Sequence, residues 1–178
     1  MQPSLEPLLA VTKHLEQANI TYALGGSGLL YSLGLIERVR DWDITTEAPL
    51  EEVMSALDHL AHTASPSGDY PFASSYRISF HHAQPEIDLI GNFSILSEAG
   101  TCQLPTIPTF RWEGVAVGSP EVWYVAYYLM NRMDKAQLLH RYLKQHGFNS
   151  EVMNKLLSQP LPDDLRTGVI ALAEASPQ

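Results

Sequence analysis

The chain has 178 residues, 45% hydrophobic and 17% charged, the composition of a folded globule with one compact domain or a small domain plus a helical appendage. Its 11 Lys and Arg stand against 20 Asp and Glu, a formal charge of −9 with no basic cluster, so gripping a nucleic-acid backbone is disfavoured and a small or cationic substrate suits it better. The single cysteine, Cys102, excludes an intrachain disulfide and a cysteine-built zinc site; with no signal-like N-terminus and no apolar run of about 20 residues, a cytoplasmic protein without membrane association is expected.

Over residues 4–19 the apolar positions Leu5, Leu8, Leu9, Leu15 and Ala18 recur at helical spacing, with Ser4 placed as N-cap and Asn19 as stop. A strand over 20–24 leads into the turn Gly25-Gly26-Ser27-Gly28 and a short helix through Leu29 to Leu33, closed by Gly34. Residues 40–45 read as the next strand. Its period of two puts Asp41 and Asp43 on one face and Trp42 and Ile44 on the other. Pro49 opens an amphipathic helix carrying Val53, Met54, Leu57, Leu60 and Ala61 and ending near His62. Residues 63–71, rich in Pro, Gly and small polar residues, are expected to be a surface loop.

Three strand-like stretches follow, at 74–80, 86–90 and, more weakly, 111–117. In the second, Ile87 and Leu89 alternate with Asp88, so Asp88 can face the same cleft as Asp41 and Asp43. Tyr76 and Arg77 lie on a strand flanking that cleft. Beyond Gly118 the sequence turns helical: Ser119-Pro120-Glu121 is a helix start, and Val122, Val125, Ala126, Leu129, Met130 and Met133 form one stripe. Leu138, Leu139, Tyr142 and Leu143 form another, closed by Gly147; shorter helices start at Asn149 or Ser150 and at Pro162, and residues 176–178 should fray. The boundary near Gly118 separates an α/β part, residues 1–118, from a helical part, residues 119–178.

Paired carboxylates repel unless a cation or a proton sits between them, and a glycine turn leaves backbone N–H groups open to an anion. Gly25-Gly26-Ser27, then Asp41-x-Asp43, then a lone Asp88 between apolar strand residues, in that order, resembles the nucleotidyltransferase superfamily that includes polymerase beta and the antibiotic nucleotidyltransferases. The resemblance implies an α+β fold, a mixed sheet flanked by helices and followed by a C-terminal helical bundle. It also implies Mg2+, as two ions held by Asp41, Asp43 and Asp88, and an NTP, with ATP first, whose phosphates lie on Gly25, Gly26, Ser27 and Gly28. Asp88 then takes the proton of an attacking hydroxyl on a small molecule or protein, and pyrophosphate leaves.

Family members place a triphosphate-contacting Arg or Lys in the helical part. Arg132, Lys135 and Arg141 lie in that zone here, and Arg38 and Arg40, just ahead of the acid pair, are the other candidates. The alternative is a non-catalytic protein of this fold, for instance a regulatory or toxin–antitoxin partner, and a homodimer fits either case. His81 and His82 are strand-end residues rather than metal ligands, because neighbours on a strand point to opposite faces. Trp112, Trp123, Tyr127 and Tyr128 read as packing residues, with stacking on a nucleobase as their other role.

Overall fold

The structure is a computed structural model and describes residues 2–174; the tail at 176–178 lies outside them. In chain order its elements are α1 (Glu6–Gln17), β1 (Tyr22–Gly25), α2 (Gly26–Ser32), β2 (Trp42–Thr46), α3 (Leu50–Ala56), β3 (Thr63–Ser65), β4 (Tyr76–Phe80) and β5 (Ile87–Gly91). Then come β6 (Ser94–Ser97), β7 (Gly100–Gln103), β8 (Phe110–Trp112), β9 (Val115–Val117), α4 (Pro120–Leu129), α5 (Met133–His146), α6 (Ser150–Leu157) and α7 (Asp163–Glu174). The class is α+β, as expected.

The chain divides into two compact units. One comprises Met1–Gly68, Ser74–Phe93 and Pro105–Ser119; the other comprises Asp69–Ala73, Ser94–Leu104 and Pro120–Gln178. The first holds a seven-stranded sheet in the order β3-β4-β5-β2-β1-β9-β8, mixed because β2–β5 and β1–β9 run parallel and the other pairs antiparallel. One face is made by alternate residues that are fully buried: Trp42 and Ile44 of β2, Ile78 of β4, Ile87 and Leu89 of β5. Leu8 and Leu15 of α1 and Val53 of α3 are buried as well. Burying a side chain of that size is worth about 1.5–3 kcal/mol, which is why period two in the strands and period 3.6 in the helices dominate the pattern.

A polar network links four elements of this unit. Tyr22 donates its hydroxyl to Glu16 Oε1 at 2.8 Å and accepts from the Ala116 N–H at 3.2 Å. Arg111 adds an ion pair to the same Glu16 oxygen at 2.8 Å and holds the Glu16 carboxyl below its ordinary range. Tyr76 is a core residue rather than a residue flanking the carboxylates: it is buried, its hydroxyl donates to the Ala48 carbonyl at 2.6 Å, and its ring covers Gly91, where a Cβ would come within 2.1 Å of it. Burial pushes its phenol up to about 12.

In the second unit α4 is buried on every side from Pro120 to Tyr127, as a central helix must be. Glu121, a buried carboxylate, accepts the Asn149 N–H at 2.8 Å, and Asn149 caps α6 by accepting from Val152 N–H at 3.2 Å. Trp123 and Tyr127 are both buried with ring centroids 5.7 Å apart, the packing role read for them. The hairpin β6–β7 belongs to this unit. No helix among the described residues is long and apolar enough to cross a membrane.

Local expectations differ from the structure in several places. Ser4 does not cap α1: the helix starts at Glu6 behind Leu5 with no side-chain cap, whereas Asn19 takes a left-handed φ of 57° and does stop it. The expected loop at 63–71 contributes β3, an edge strand that owes its existence to main-chain pairing with β4 rather than to any buried side chain, since all three of its residues are exposed. The single strand at 111–117 is a hairpin, β8 and β9, folded at Glu113 and Gly114, whose φ values of 50° and 82° make the tight turn that this two-residue connection demands. Helix α3 stops at Ala56, so Leu60 and Ala61 lie beyond it.

Candidate functional site

The acids arrive on neighbouring strands, and the register lines them up. Gly25 of β1 is paired with Asp43 of β2, Asp43 with Asp88 of β5, and Asp88 with Ser79 of β4. These four residues form one row across the sheet, and paired residues present their side chains to the same side. The opposite side of the same strands carries Trp42, Ile44, Ile87 and Leu89, so the apolar core fixes which way the carboxylates point. A one-residue slip would bury all of them.

Asp43 is half-buried and Asp88 buried, while Asp41, also half-buried, sits one residue ahead of β2. The Asp43 carboxyl is raised to about 7 from an ordinary value near 3.8, first by burial and then by the charges of Asp41 and Asp88, with Arg77 opposing them. Three negative groups therefore act on one another. Asp88 has both oxygens engaged: Arg77 Nη2 donates to Oδ2 at 2.6 Å and Ser79 Oγ to Oδ1 at 2.6 Å. Among the described residues no group of three His, Cys, Asp or Glu side chains is gathered to hold a metal ion. In this state the cation on Asp88 is the Arg77 guanidinium.

The glycine turn fits the acids sterically. Gly26 has a left-handed φ of 54°, and a Cβ there would stand 2.3 Å from Asp43 Oδ2. Glycine is thus needed twice, once for the conformation and once to leave that oxygen space. Gly28 has a different reason: a Cβ would meet Leu24 Cδ1 at 2.8 Å and Trp42 Cε3 at 3.0 Å, so its role is close packing of α2 on the sheet. Ser27 is buried and donates its hydroxyl to the Asp41 carbonyl at 3.0 Å, which ties the turn to the acidic segment. Gly25 precedes α2 in an extended conformation.

Arg38 and Arg40 are exposed in the segment before β2, and Arg132, with Asp134 at 3.9 Å, is exposed at the start of α5. The arginine that lies in the field of all three carboxylates is Arg77, whose guanidinium is raised by its hydrogen bond to Asp88 and by the charges of Asp88, Asp43 and Asp41. Arg77 was legible only as a strand residue near the acids, and Ser79 was not singled out. The spacing Arg77-x-Ser79 is the signal that marks both, because it sets two polar side chains on one strand face two residues apart.

Among the aromatic candidates of the first unit, Trp112 packs against Tyr31 at 5.7 Å and Trp42 at 6.3 Å between centroids. His81 pairs with Glu86 at 3.5 Å past the end of β4, and His82 beside it is exposed.

The chemistry of these side chains, though not their present spacing, is that of a site for a hard divalent cation. Asp41, Asp43 and Asp88 offer carboxylate oxygens, and the Gly26 hydrogen leaves an Asp43 oxygen room that any side chain would fill. No family model matches the chain, and no curated protein matches it in sequence. Solved structures do match. A candidate nucleotidyltransferase from Thermotoga maritima superposes with a TM-score of 0.59 at 21% identity, over 80% of this chain and 93% of the other. The antibiotic-resistance factor ANT(2″)-Ia, in crystals with adenylyl-2″-tobramycin, gives 0.56 at 14% identity over 96% of this chain and 97% of its own. Its solution structure gives 0.56 at 16% identity, over 96% and 95%. With a mixed sheet that presents Asp43 and Asp88 in register beside the Gly25–Gly26 turn, the chain has the fold of the nucleotidyltransferase superfamily.

Proposed function

We propose that this protein is a metal-dependent nucleotidyltransferase that moves a nucleoside monophosphate, from ATP first among NTPs, to the hydroxyl of a small molecule. The observation that supports this most is the row Gly25–Asp43–Asp88 across three strands, with an Asp43 carboxyl raised to about 7 by burial and by the charges of Asp41 and Asp88. Asp41, Asp43 and Asp88 would hold Mg2+, and the bound metal would supply charge neutralisation for the triphosphate and for the pentacoordinate phosphorus. The turn at Gly25 and Gly26 gives the phosphates close approach to backbone N–H groups, and Ser27 holds that turn against Asp41. Asp88 takes the acceptor hydroxyl's proton as the oxygen bonds to the α-phosphorus and the bond to the pyrophosphate oxygen breaks.

Two facts support a choice of acceptor class. The chain carries a charge of −9, which draws cationic rather than anionic acceptors, and ANT(2″)-Ia, a structure of the same fold, was crystallised with an adenylylated aminoglycoside. A small polyhydroxylated amine is the class to try first. The second reading, a protein of this fold that binds nucleotide without turnover, is favoured by the fact that Arg77 and Ser79 occupy both oxygens of Asp88.

Labelled ATP and Mg2+ incubated with a panel of aminoglycosides and with cell extract separates the two. Transfer of label with release of pyrophosphate is expected of the parent, and a loss of about a thousandfold or more in Asp88→Asn, which keeps the shape of the side chain and removes its basicity. Label transfer by Asp88→Asn at the parent rate would remove Asp88 from the chemistry. Binding of ATP without any transfer would favour the second reading.

A further inference from the structure

The structure presents its third carboxylate already paired with a cation that the protein itself supplies. Arg77 stands on β4 beside β5, its guanidinium 2.6 Å from Asp88 Oδ2, and Ser79 two residues on binds the other oxygen at 2.6 Å. The side chain of Arg77 is 44% exposed whereas that of Asp88 is 12% exposed, so the guanidinium closes the solvent side of a carboxylate that is otherwise sheltered. A divalent cation drawn to Asp88 would have to share that carboxylate with the Arg77 guanidinium. Ser79 is no obstacle of that kind, since a hydroxyl neutralises nothing and its bond leaves the carboxylate its charge.

A guanidinium and a metal ion are both positive, and on one sheltered carboxylate they would repel each other. The planar fork of an arginine matches a phosphate as well as it matches a carboxylate, and a half-exposed side chain on a strand has the freedom to turn from one to the other. Resting on the function proposed above, we infer that Arg77 is the exchangeable cation of this site: it neutralises Asp88 while no metal is bound, yields Asp88 to the metal when metal and nucleotide arrive together, and then contacts the triphosphate. Arg77 is a positioning residue for Asp88 in the first state and a phosphate ligand in the second. The protein thereby keeps three facing carboxylates tolerable before its substrate arrives.

The two halves have opposite signs in Arg77→Gln, which sets this role apart from a merely structural one. Without nucleotide, a Mn2+ titration followed by electron paramagnetic resonance should show R77Q binding Mn2+ roughly fivefold to tenfold more tightly than the parent, because no guanidinium competes. At saturating Mg2+, calorimetry with a non-hydrolysable ATP analogue should show R77Q binding at least about tenfold more weakly, because the phosphate contact is gone. A structural ion pair alone would weaken both. Mn2+ binding by R77Q equal to or weaker than the parent's overturns the exchange, and nucleotide binding unchanged by R77Q overturns the phosphate contact. Asp43→Asn distinguishes the two levels: if Mn2+ binding to the parent survives in D43N, the metal site itself is misassigned and the function proposed above fails with it. If R77Q does not fold, Arg77→Lys gives the same signs at about twofold to threefold, since the charge remains and the fork is lost.

Discussion

Replacing Asp43 by Asn is expected to stabilise the metal-free protein, and to do so only above mildly acidic pH. The folded-state carboxyl is raised to about 7 and the unfolded one titrates near 3.8, so the native state binds the proton more tightly than the unfolded chain. The stability this proton gives the parent is complete below pH 3.8, falls as the pH climbs, and is gone above about pH 7. Asn does not titrate. The advantage of D43N should therefore be small near pH 4, grow through pH 5 and 6, and level off above pH 7. The interval from 3.8 to about 7 corresponds to at most about 4 kcal/mol, and relaxation of the site should leave about 2 kcal/mol, several degrees in Tm. Added Mg2+ should raise the Tm of the parent and not that of D43N. Thermal melts of both proteins at pH 4, 6 and 8 measure this; an advantage of D43N that is equal at all three would mean that the Asp43 charge is not the cause.

Gly26→Ala is expected to be the most damaging single methyl group in the first unit's site. The new Cβ would lie 2.3 Å from Asp43 Oδ2 and 3.1 Å from its Cβ and Cγ, on a backbone with φ of 54°. The strained conformation costs about 1 kcal/mol, and the clash should bring the total to about 2–4 kcal/mol with loss of nucleotide binding. The clash belongs to a pair, and a double-mutant cycle isolates it. In an Asp43→Ala background the oxygen and Cγ are gone and only the 3.1 Å contact with the Cβ of residue 43 remains, so the penalty for G26A should fall to about 1–2 kcal/mol. Chemical denaturation of the four proteins yields the coupling. A cycle that closes to zero would show that the turn and the carboxylate do not touch.

The site was legible in the sequence to the extent that it depends on short-range periodicity. Asp43 and Asp88 each sit among apolar alternates and Asp41 stands two residues ahead of Asp43, so period two alone puts them on a polar face; the glycines mark the turn that precedes them. What no local pattern contains is the register between strands, which is set by the packing of Trp42, Ile44, Ile87 and Leu89 on the far side of the sheet. That register is what seats Ser79 opposite Asp88 and brings Arg77 to it. The hairpin β6–β7 escaped notice for a related reason: Ser94-Ile95-Leu96-Ser97 and Gly100-Thr101-Cys102-Gln103 are too short for alternation to show, and only the pairing makes them strands. The exposed edge strand β3 is the extreme case, with no buried side chain to write it into the sequence.

Helices were read more securely than their ends. The stripes of α4 and α5 repeat over several turns, whereas a start depends on one residue: Asn149 caps α6 with its own side chain, and Ser4 caps nothing. Of the four residues in the Gly25-Gly26-Ser27-Gly28 turn, the structure separates roles that the motif had merged. Gly26 makes room for Asp43, Gly28 for Leu24 and Trp42, and Ser27 fastens the turn to Asp41. A glycine motif thus carries packing and chemistry together, and only the neighbours of each missing Cβ tell them apart.

In the proposed function, Asp41 and Asp43, together with Asp88, would hold a divalent cation for a nucleotide. Isothermal titration of the protein with a non-hydrolysable ATP analogue, with and without Mg2+, tests it directly. Binding that requires Mg2+ in the parent and disappears in the folded double variant Asp41→Ala, Asp43→Ala is the expected result. Binding of equal strength in the two proteins, or binding indifferent to Mg2+, would contradict it.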